Sequence, residues 1–328
     1  MYISDNAASK SIDVFLKKII DYAGLFPPAR LSLETAFGNY VHYLKSENNF
    51  MLSRFICPVK LFSELARIIS SNYPDEKGIL ISVLGRGGYN EEDFFKNLQE
   101  DLILWKNLLS SSGSIIKADS FEIKLPDEII TSHDTGKIAG FINTVSDEIN
   151  KNIPVESFIF FEGHIGTEWK KNIKHFIEGI KMHNLTSNNS GYKLRTGGVE
   201  AYSFPAPGQI AYSIRECLDR NIPMKCTAGL HHPFRHFDTV IGTMMHGFIN
   251  VFGAGIIAMR HNISDEEMIK IISDENPDNF SFNEKYFAWN DWKINADEIS
   301  LARKNLMLSF GSCSFDEPEE DLKKLKLL

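Results

Sequence analysis

From residue 51 onwards, short apolar runs alternate with longer stretches whose apolar positions recur at helical spacing, the pattern of strand–helix units around a parallel sheet. The runs predict strands over 52–59, 78–85, 120–126, 156–163, 192–198 and 223–229. Helices are predicted over 62–72, 91–110, 134–150, 167–183 and 208–220. Next, "DTVIGTMMHGFINVFGAGIIA" is apolar nearly all round, so it reads either as one helix over 238–259 or as a seventh strand around "FINVFG". An eighth strand is expected in "FSFNEKYFAW" (280–289), with a helix over 296–309. A run of six to eight such units without a composition break favours an α/β fold, a closed (β/α)8 barrel of TIM type, irregular in its seventh and eighth strands. An open, doubly wound sheet is the alternative.

The first fifty residues read differently. Ile12, Phe15, Leu16, Ile19 and Ile20, then Leu33, Phe37, Tyr40 and Val41, predict helices over 9–24 and 32–46. Pro27 and Pro28 separate them, because a proline pushes the preceding residue out of the α region. The expected organisation is a helical extension over 1–50, a barrel over 51–312 and a solvated tail over 313–328. The loop "DYAGLFPPA" suits a fixed lid over the site or a helix end packed on the barrel.

Composition narrows the function classes. The chain has 328 residues, 43% hydrophobic and 24% charged, with a formal net charge of −8. An acidic balance argues against nucleic acid or an anionic membrane surface as partner, since both need clustered Lys and Arg. The four cysteines lack CxxC spacing, and the start lacks a basic region followed by a long apolar run, so a reducing, cytoplasmic location is expected. Little bears on oligomeric state, and a homo-oligomer fits as well as a monomer.

In a barrel, chemistry is carried at the C-terminal ends of the strands. Here those ends are polar: Arg54, Glu122 with Lys124, Glu162 with His164, Lys193 with Arg195 and Thr196, and Lys225 with Thr227, His231 and His232. Residues two apart on a strand share a face, so Lys193 joins Arg195 and Lys225 joins Thr227. Charges in buried strands must be paired or functional. Snorkelling to solvent is the plain explanation for Arg54 and Lys124. Arg195, with amides left open by Gly197 and Gly198 at positive φ, suits an anion. Glu162, His231 and His232 could instead hold a divalent ion such as zinc or magnesium, with His164 or His236 completing the set, although no zinc spacing pattern is present. His246, beside Met244, Met245 and Phe248, reads as a packing histidine.

Two resemblances follow from these phrases. "DYAGLFPPA", "KLRTGG", "KCTAGLHHP" and "MHGFINVFGA" together resemble a bacterial protein family of unassigned function that carries them in this order over nearly the whole chain. That likeness marks Asp21, Lys193, Arg195, Lys225, His231, His232 and Asn250 as positions within the family's motifs. Over about 40 residues, "KLRTGG" and "KCTAG" are also similar to the deoxyribose-phosphate aldolase group of class I aldolases. This second resemblance implies a Schiff base on Lys193, its pKa lowered by Lys225, with no cofactor. The pattern departs from that group in Arg195, in "LHHP" and in the lack of a matching aspartate.

The expected function is therefore an aldolase- or lyase-like barrel acting on a small anionic carbonyl metabolite. Lys193 or Lys225 would engage the carbonyl, Glu162, His231 or His232 would move protons, and Arg195, Thr196, Gly197, Gly198, Thr227, Asp21, Glu122 and Asn250 would line the substrate. The alternatives are a metal-dependent lyase, hydrolase or isomerase, and a non-catalytic metabolite-binding protein.

Overall fold

The computed structural model describes residues 11–163, 165–187 and 189–328. In chain order it begins with α1 (Ser11–Leu16), β1 (Ile20–Tyr22), α2 (Leu33–Tyr43), β2 (Leu52–Pro58), α3 (Phe62–Asn72), β3 (Ile79–Leu84), α4 (Glu91–Ser112) and β4 (Ile116–Lys124). There follow α5 (Asp127–Ile130), α6 (Thr135–Asn152), β5 (Phe158–Glu162), α7 (Trp169–Asn184), β6 (Ser190–Arg195), α8 (Pro207–Arg220) and β7 (Met224–Thr227). The last part contains β8 (His236–Asp238), β9 (Thr243–Met245), α9 (Phe248–His261), α10 (Asp265–Ser273), β10 (Phe280–Phe282), β11 (Tyr286–Trp289), β12 (Trp292–Asn295), α11 (Ala296–Asn305), β13 (Met307–Ser312) and α12 (Asp316–Lys324).

Eight parallel strands close into a barrel in the order β1-β13-β7-β6-β5-β4-β3-β2. Helices surround it, so the chain is a (β/α)8 barrel of TIM type.

The two strands that close the barrel were both misread. β1 lies inside the region predicted as a helical extension, and it pairs with β2 and with β13. The barrel therefore begins at Ile20 rather than at residue 51, and the first helix ends at Leu16. The eighth barrel strand is β13, where a helix to residue 309 was expected; α11 stops at Asn305. Residues 280–289 instead belong to an antiparallel sheet, β10-β11-β12, beside the barrel. "FINVFG" is helical, in α9, preceded by the β8–β9 hairpin. The supposed tail is α12, which buries Pro318 and Leu322 and is tied back through Asn48 to Glu319 and Tyr43 to Asp316.

Side-chain alternation sorts the strands. Tyr22, Phe55, Phe121, Tyr192 and Phe310 face outward and are buried under helices, as in the stack of Phe121 on Trp105 of α4 and of Phe310 on Phe248 of α9. Burying such aromatics stabilises the wall, since apolar area removed from water contributes about 25 cal/mol per Å². The inward positions are mostly polar: Asp21, Ser82, Ser120, Glu122, Glu162, Lys193, Lys225 and Ser309 are all buried. A barrel interior is commonly filled with branched apolar residues. Here it is filled with charge, and the polar groups must satisfy one another.

Candidate active site

At the C-terminal mouth a cavity of about 350 Å³ is lined by the ends of β1, β2, β3, β4, β6, β7 and β13. Its floor is Glu122 and Lys193, and its wall includes Arg195, Thr227, His231 and Cys313. Ala23, Phe26, Pro27 and Pro28 also line it, so the loop after β1 forms part of the mouth's wall.

Strand register sets the charged layer beneath. Lys193 and Lys225 are direct partners across β6 and β7, and Glu162 is the partner of Lys193 across β5 and β6. Partners in register point to the same face, so both amines enter the barrel. Lys193 Nζ lies 3.0 Å from Glu122 Oε2 and 3.0 Å from Glu162 Oε2. Lys225 Nζ donates to Asp21 Oδ2 at 2.6 Å and to Glu122 Oε1 at 2.5 Å. Glu122 thus joins the two ammoniums, one on each oxygen, and also accepts from Ser82 Oγ. Its contact with Lys193 is an ion pair off the hydrogen-bonding line, because that oxygen has no aligned donor. Arg195 Nε completes the chain on Glu162 Oε1 at 3.1 Å. Asp21 also accepts from Ser309 Oγ and from the Arg54 amide. Three carboxylates, Asp21, Glu122 and Glu162, therefore balance three cations, Lys193, Lys225 and Arg195.

Protonation follows from this balance. Burial by itself lowers an ammonium pKa, but Glu162 and Glu122 outweigh it and raise Lys193 to about 12. The expected depression of Lys193 by Lys225 is overturned in the resting state: two carboxylates at 3.0 Å act more strongly than one neighbouring cation that is itself bound to acids. Burial would raise the Glu122 carboxyl, yet Lys225 and then Lys193 hold it far below the ordinary carboxylate value. Glu162 is lowered likewise, Lys193 and Arg195 outweighing its burial.

His231 belongs to the mouth by a different route. Its Nδ1 lies 3.3 Å from Glu317 Oε2 of α12 and 3.8 Å from Cys313 Sγ, just past β13. Burial disfavours the imidazolium, but the hydrogen bonds with Cys313 and Glu317 prevail and raise it to about 9.

Several expected site residues go elsewhere. His232 is turned to Asp321 of α12 and packs edge-on against His236, outside the cavity. The Thr196 hydroxyl donates to the Thr227 and Ala228 carbonyls and ties two loops together. Asn250 is fully buried and holds the Arg235 amide and the Ile271 and Asp274 carbonyls, a structural duty. Gly197 is needed for close packing, since a Cβ there would lie 2.8 Å from the Gly229 Cα. Positive φ occurs not at Gly197 or Gly198 but one loop on, at Ala228 (φ 60°) and Gly229 (φ 76°), both lining the cavity. The non-glycine residue there carries backbone strain of the kind that collects at functional sites. Lys124 reaches solvent beside Asp127, in keeping with snorkelling, whereas Arg54, expected at a C-terminal strand end, lies at the opposite end of the barrel, paired with Asp119 and with its Nε buried. His246 is buried between Arg235 and the Pro205 carbonyl, as a packing histidine should be.

The alternative metal set does not assemble. Glu162 is held by Lys193 and Arg195, His231 by Glu317 and Cys313, and His232 by Asp321. Among the described residues no three His, Cys, Asp or Glu side chains are grouped to hold a metal ion; His164 lies outside them. Cys313 was missed because its strand was missed, and Ser82 and Ser309 because a serine in an apolar run signals nothing by itself. No helix among the described residues is long and apolar enough to cross a membrane. No protein-family model and no curated protein sequence matches the chain.

Proposed function

We propose that this barrel is an enzyme of the lysine-dependent aldolase or lyase type, making or breaking a bond next to the carbonyl of a small anionic metabolite. The observation that carries the reading is the pairing of Lys193 and Lys225 on adjacent strands, joined through Glu122, with Lys193 opening onto a mouth that also holds Arg195. The likeness of "KLRTGG" and "KCTAG" to the deoxyribose-phosphate aldolase group points the same way. The acid that those motifs lack is supplied by other strands, as Glu122 and Asp21.

In this scheme Arg195 holds the substrate anion bidentately, and the carbonyl carbon sits over Lys193 Nζ. Lys193 first gives up a proton to Glu162, at 3.0 Å, and the free amine then attacks the carbonyl carbon, passing a second proton to the carbonyl oxygen. The carbonyl oxygen, protonated in turn, leaves as water and an iminium remains. Cleavage of the adjacent carbon–carbon bond sends its electron pair into that iminium, giving an enamine, while the hydroxyl of the departing fragment yields its proton to Glu162 and the fragment leaves as a carbonyl compound. Protonation at carbon and hydrolysis then release product and regenerate the amine. Lys225 keeps Glu122 ionised and placed throughout.

The ammonium state of Lys193 favours a second reading, in which it stays protonated, polarises the carbonyl by hydrogen bonding, and leaves Glu162 to take the proton on the neighbouring carbon. Borohydride reduction in the presence of a panel of keto acids and sugar phosphates, followed by peptide mass spectrometry, separates the two. The first reading expects a reduced adduct on Lys193. Exchange of substrate carbon-bound hydrogen with deuterated solvent, without any adduct on Lys193 or Lys225, supports the second instead. Neither adduct nor exchange with any compound removes both.

A further inference from the structure

A second cavity, of about 520 Å³, opens at the opposite, N-terminal end of the barrel. Six cations line it: Lys17 and Lys18 after α1, Arg54 on β2, Lys225 on β7, and Arg303 and Lys304 of α11. Asp21 is the one acid in the lining. In a chain of net charge −8 this concentration of positive charge is local and opposed to the overall balance.

Part of it has an ordinary cause, because Lys17, Lys18 and Lys304 sit at helix C-terminal ends, where cations offset the macrodipole. Arg303 also stands in the last turn of α11, but unlike the lysines it is buried. It is 8% exposed, its two terminal nitrogens hold the Met307 and Lys17 carbonyls, and its Nε is buried without any hydrogen-bond partner. Among the described residues no carboxylate forms an ion pair with it. Arg54, whose Nη2 pairs with Asp119, likewise keeps a buried Nε unpartnered. Arg303 feels Asp21 only from beyond ion-pair distance; burying a guanidinium without a close counter-charge is costly, and an anion in the cavity would offset that cost. Next to these groups stand the Phe158 and Phe160 rings, with centroids 5.0 Å apart, and Leu308, an apolar wall for the uncharged part of a ligand.

We infer that the barrel floor is a second ligand site, for a phosphate-bearing small molecule, distinct from the mouth. The phosphate lies against Arg303 and the exposed lysines Lys17, Lys18 and Lys304, and the remainder of the ligand lies along Phe158 and Leu308. Lys225, bound to Asp21 and Glu122, forms the roof and separates the two sites.

Calorimetric titration with pyrophosphate at low ionic strength tests this, using the wild-type chain, the surface variant Lys17→Glu/Lys18→Glu/Lys304→Glu, and Arg195→Gln at the mouth. All three substituted floor lysines are exposed, and thermal unfolding checks that the variant keeps the fold. The expected result is saturable binding that weakens with added salt, falls about tenfold or more in the floor variant, and is retained in Arg195→Gln. Absence of saturable binding, or binding that is lost in Arg195→Gln and kept in the floor variant, would overturn the inference.

Discussion

The residue that organises the barrel interior is Glu122, because each of its oxygens faces a different ammonium. Removing one member of such a layer leaves a buried charge unpaired, and breaking a buried pair typically costs about 3–5 kcal/mol. Lys225→Met therefore destabilises the fold by roughly that amount in urea unfolding, by stranding Asp21 and leaving Glu122 with Lys193 alone. Adding Asp21→Asn and Glu122→Gln to Lys225→Met recovers a large part of the loss, since neutral amides need no counter-ion; equal loss in single and triple variants would show that packing, not charge, is responsible. At this scale much was legible in the chain. Lys193, Lys225, Glu122 and Glu162 stand out as charges within apolar strands, and burial in strands demands partners for them. Their partnerships were not legible, because register between strands distant in sequence decides which carboxylate meets which amine. Asn250 and Thr196 were misassigned for a related reason: a polar residue within a recognisable phrase can equally well hold backbone groups of a neighbouring loop.

Among the elements, α12 changes the picture most. Its sequence "DEPEEDLKK" looks like a solvated end, yet Glu317 and Asp321 bring it onto His231 and His232. The folded pKa of His231, about 9, lies above the ordinary 6.5. Its contribution to docking is thus fully present below pH 6.5 and is lost as pH rises through about 9. Glu317 is half exposed, so the contribution is modest after screening by solvent. Amide hydrogen exchange in α12, corrected for the intrinsic rate, should accelerate between pH 6.5 and 9 in the wild type and lose that pH dependence in His231→Asn. A profile unchanged by the substitution would contradict the latch. Elements were legible where they were long and bounded: α3 occupies residues 62–72 as predicted. Short closing strands were hidden, since Ile20–Tyr22 is only three residues and continues the helical spacing of Phe15, Leu16 and Ile19. Met307–Ser312 was absorbed into the helix before it, while Phe280–Trp289 showed cleaner alternation and drew the prediction to a side sheet.

For the molecule as a whole, closure depends on β1, which supplies Asp21 to the charged layer and joins β2 to β13. A chain lacking residues 1–50 should therefore not unfold cooperatively, as followed by circular dichroism on heating; a sharp transition near that of the full chain would restore the separate-extension view. The fold class was readable because strand–helix alternation persists over most of the chain, and the two ends of the barrel differ because the inward side chains differ. A mouth with Lys193 and Arg195 and a cationic floor are held apart by one layer of balanced charge.

That layer is tested most directly by following the side-chain nitrogen resonances of Lys193 and Lys225 by NMR over a pH titration, in the wild type and in Glu122→Gln. Lys193 should remain an ammonium through neutral pH and titrate near 12. Its stabilising contribution is then complete below the ordinary 10.5 and disappears as pH rises towards 12. In Glu122→Gln the titration should move down, because one of its two carboxylate partners is gone. A Lys193 that titrates below 10.5 in the wild type, or that does not respond to Glu122→Gln, would contradict the shared layer.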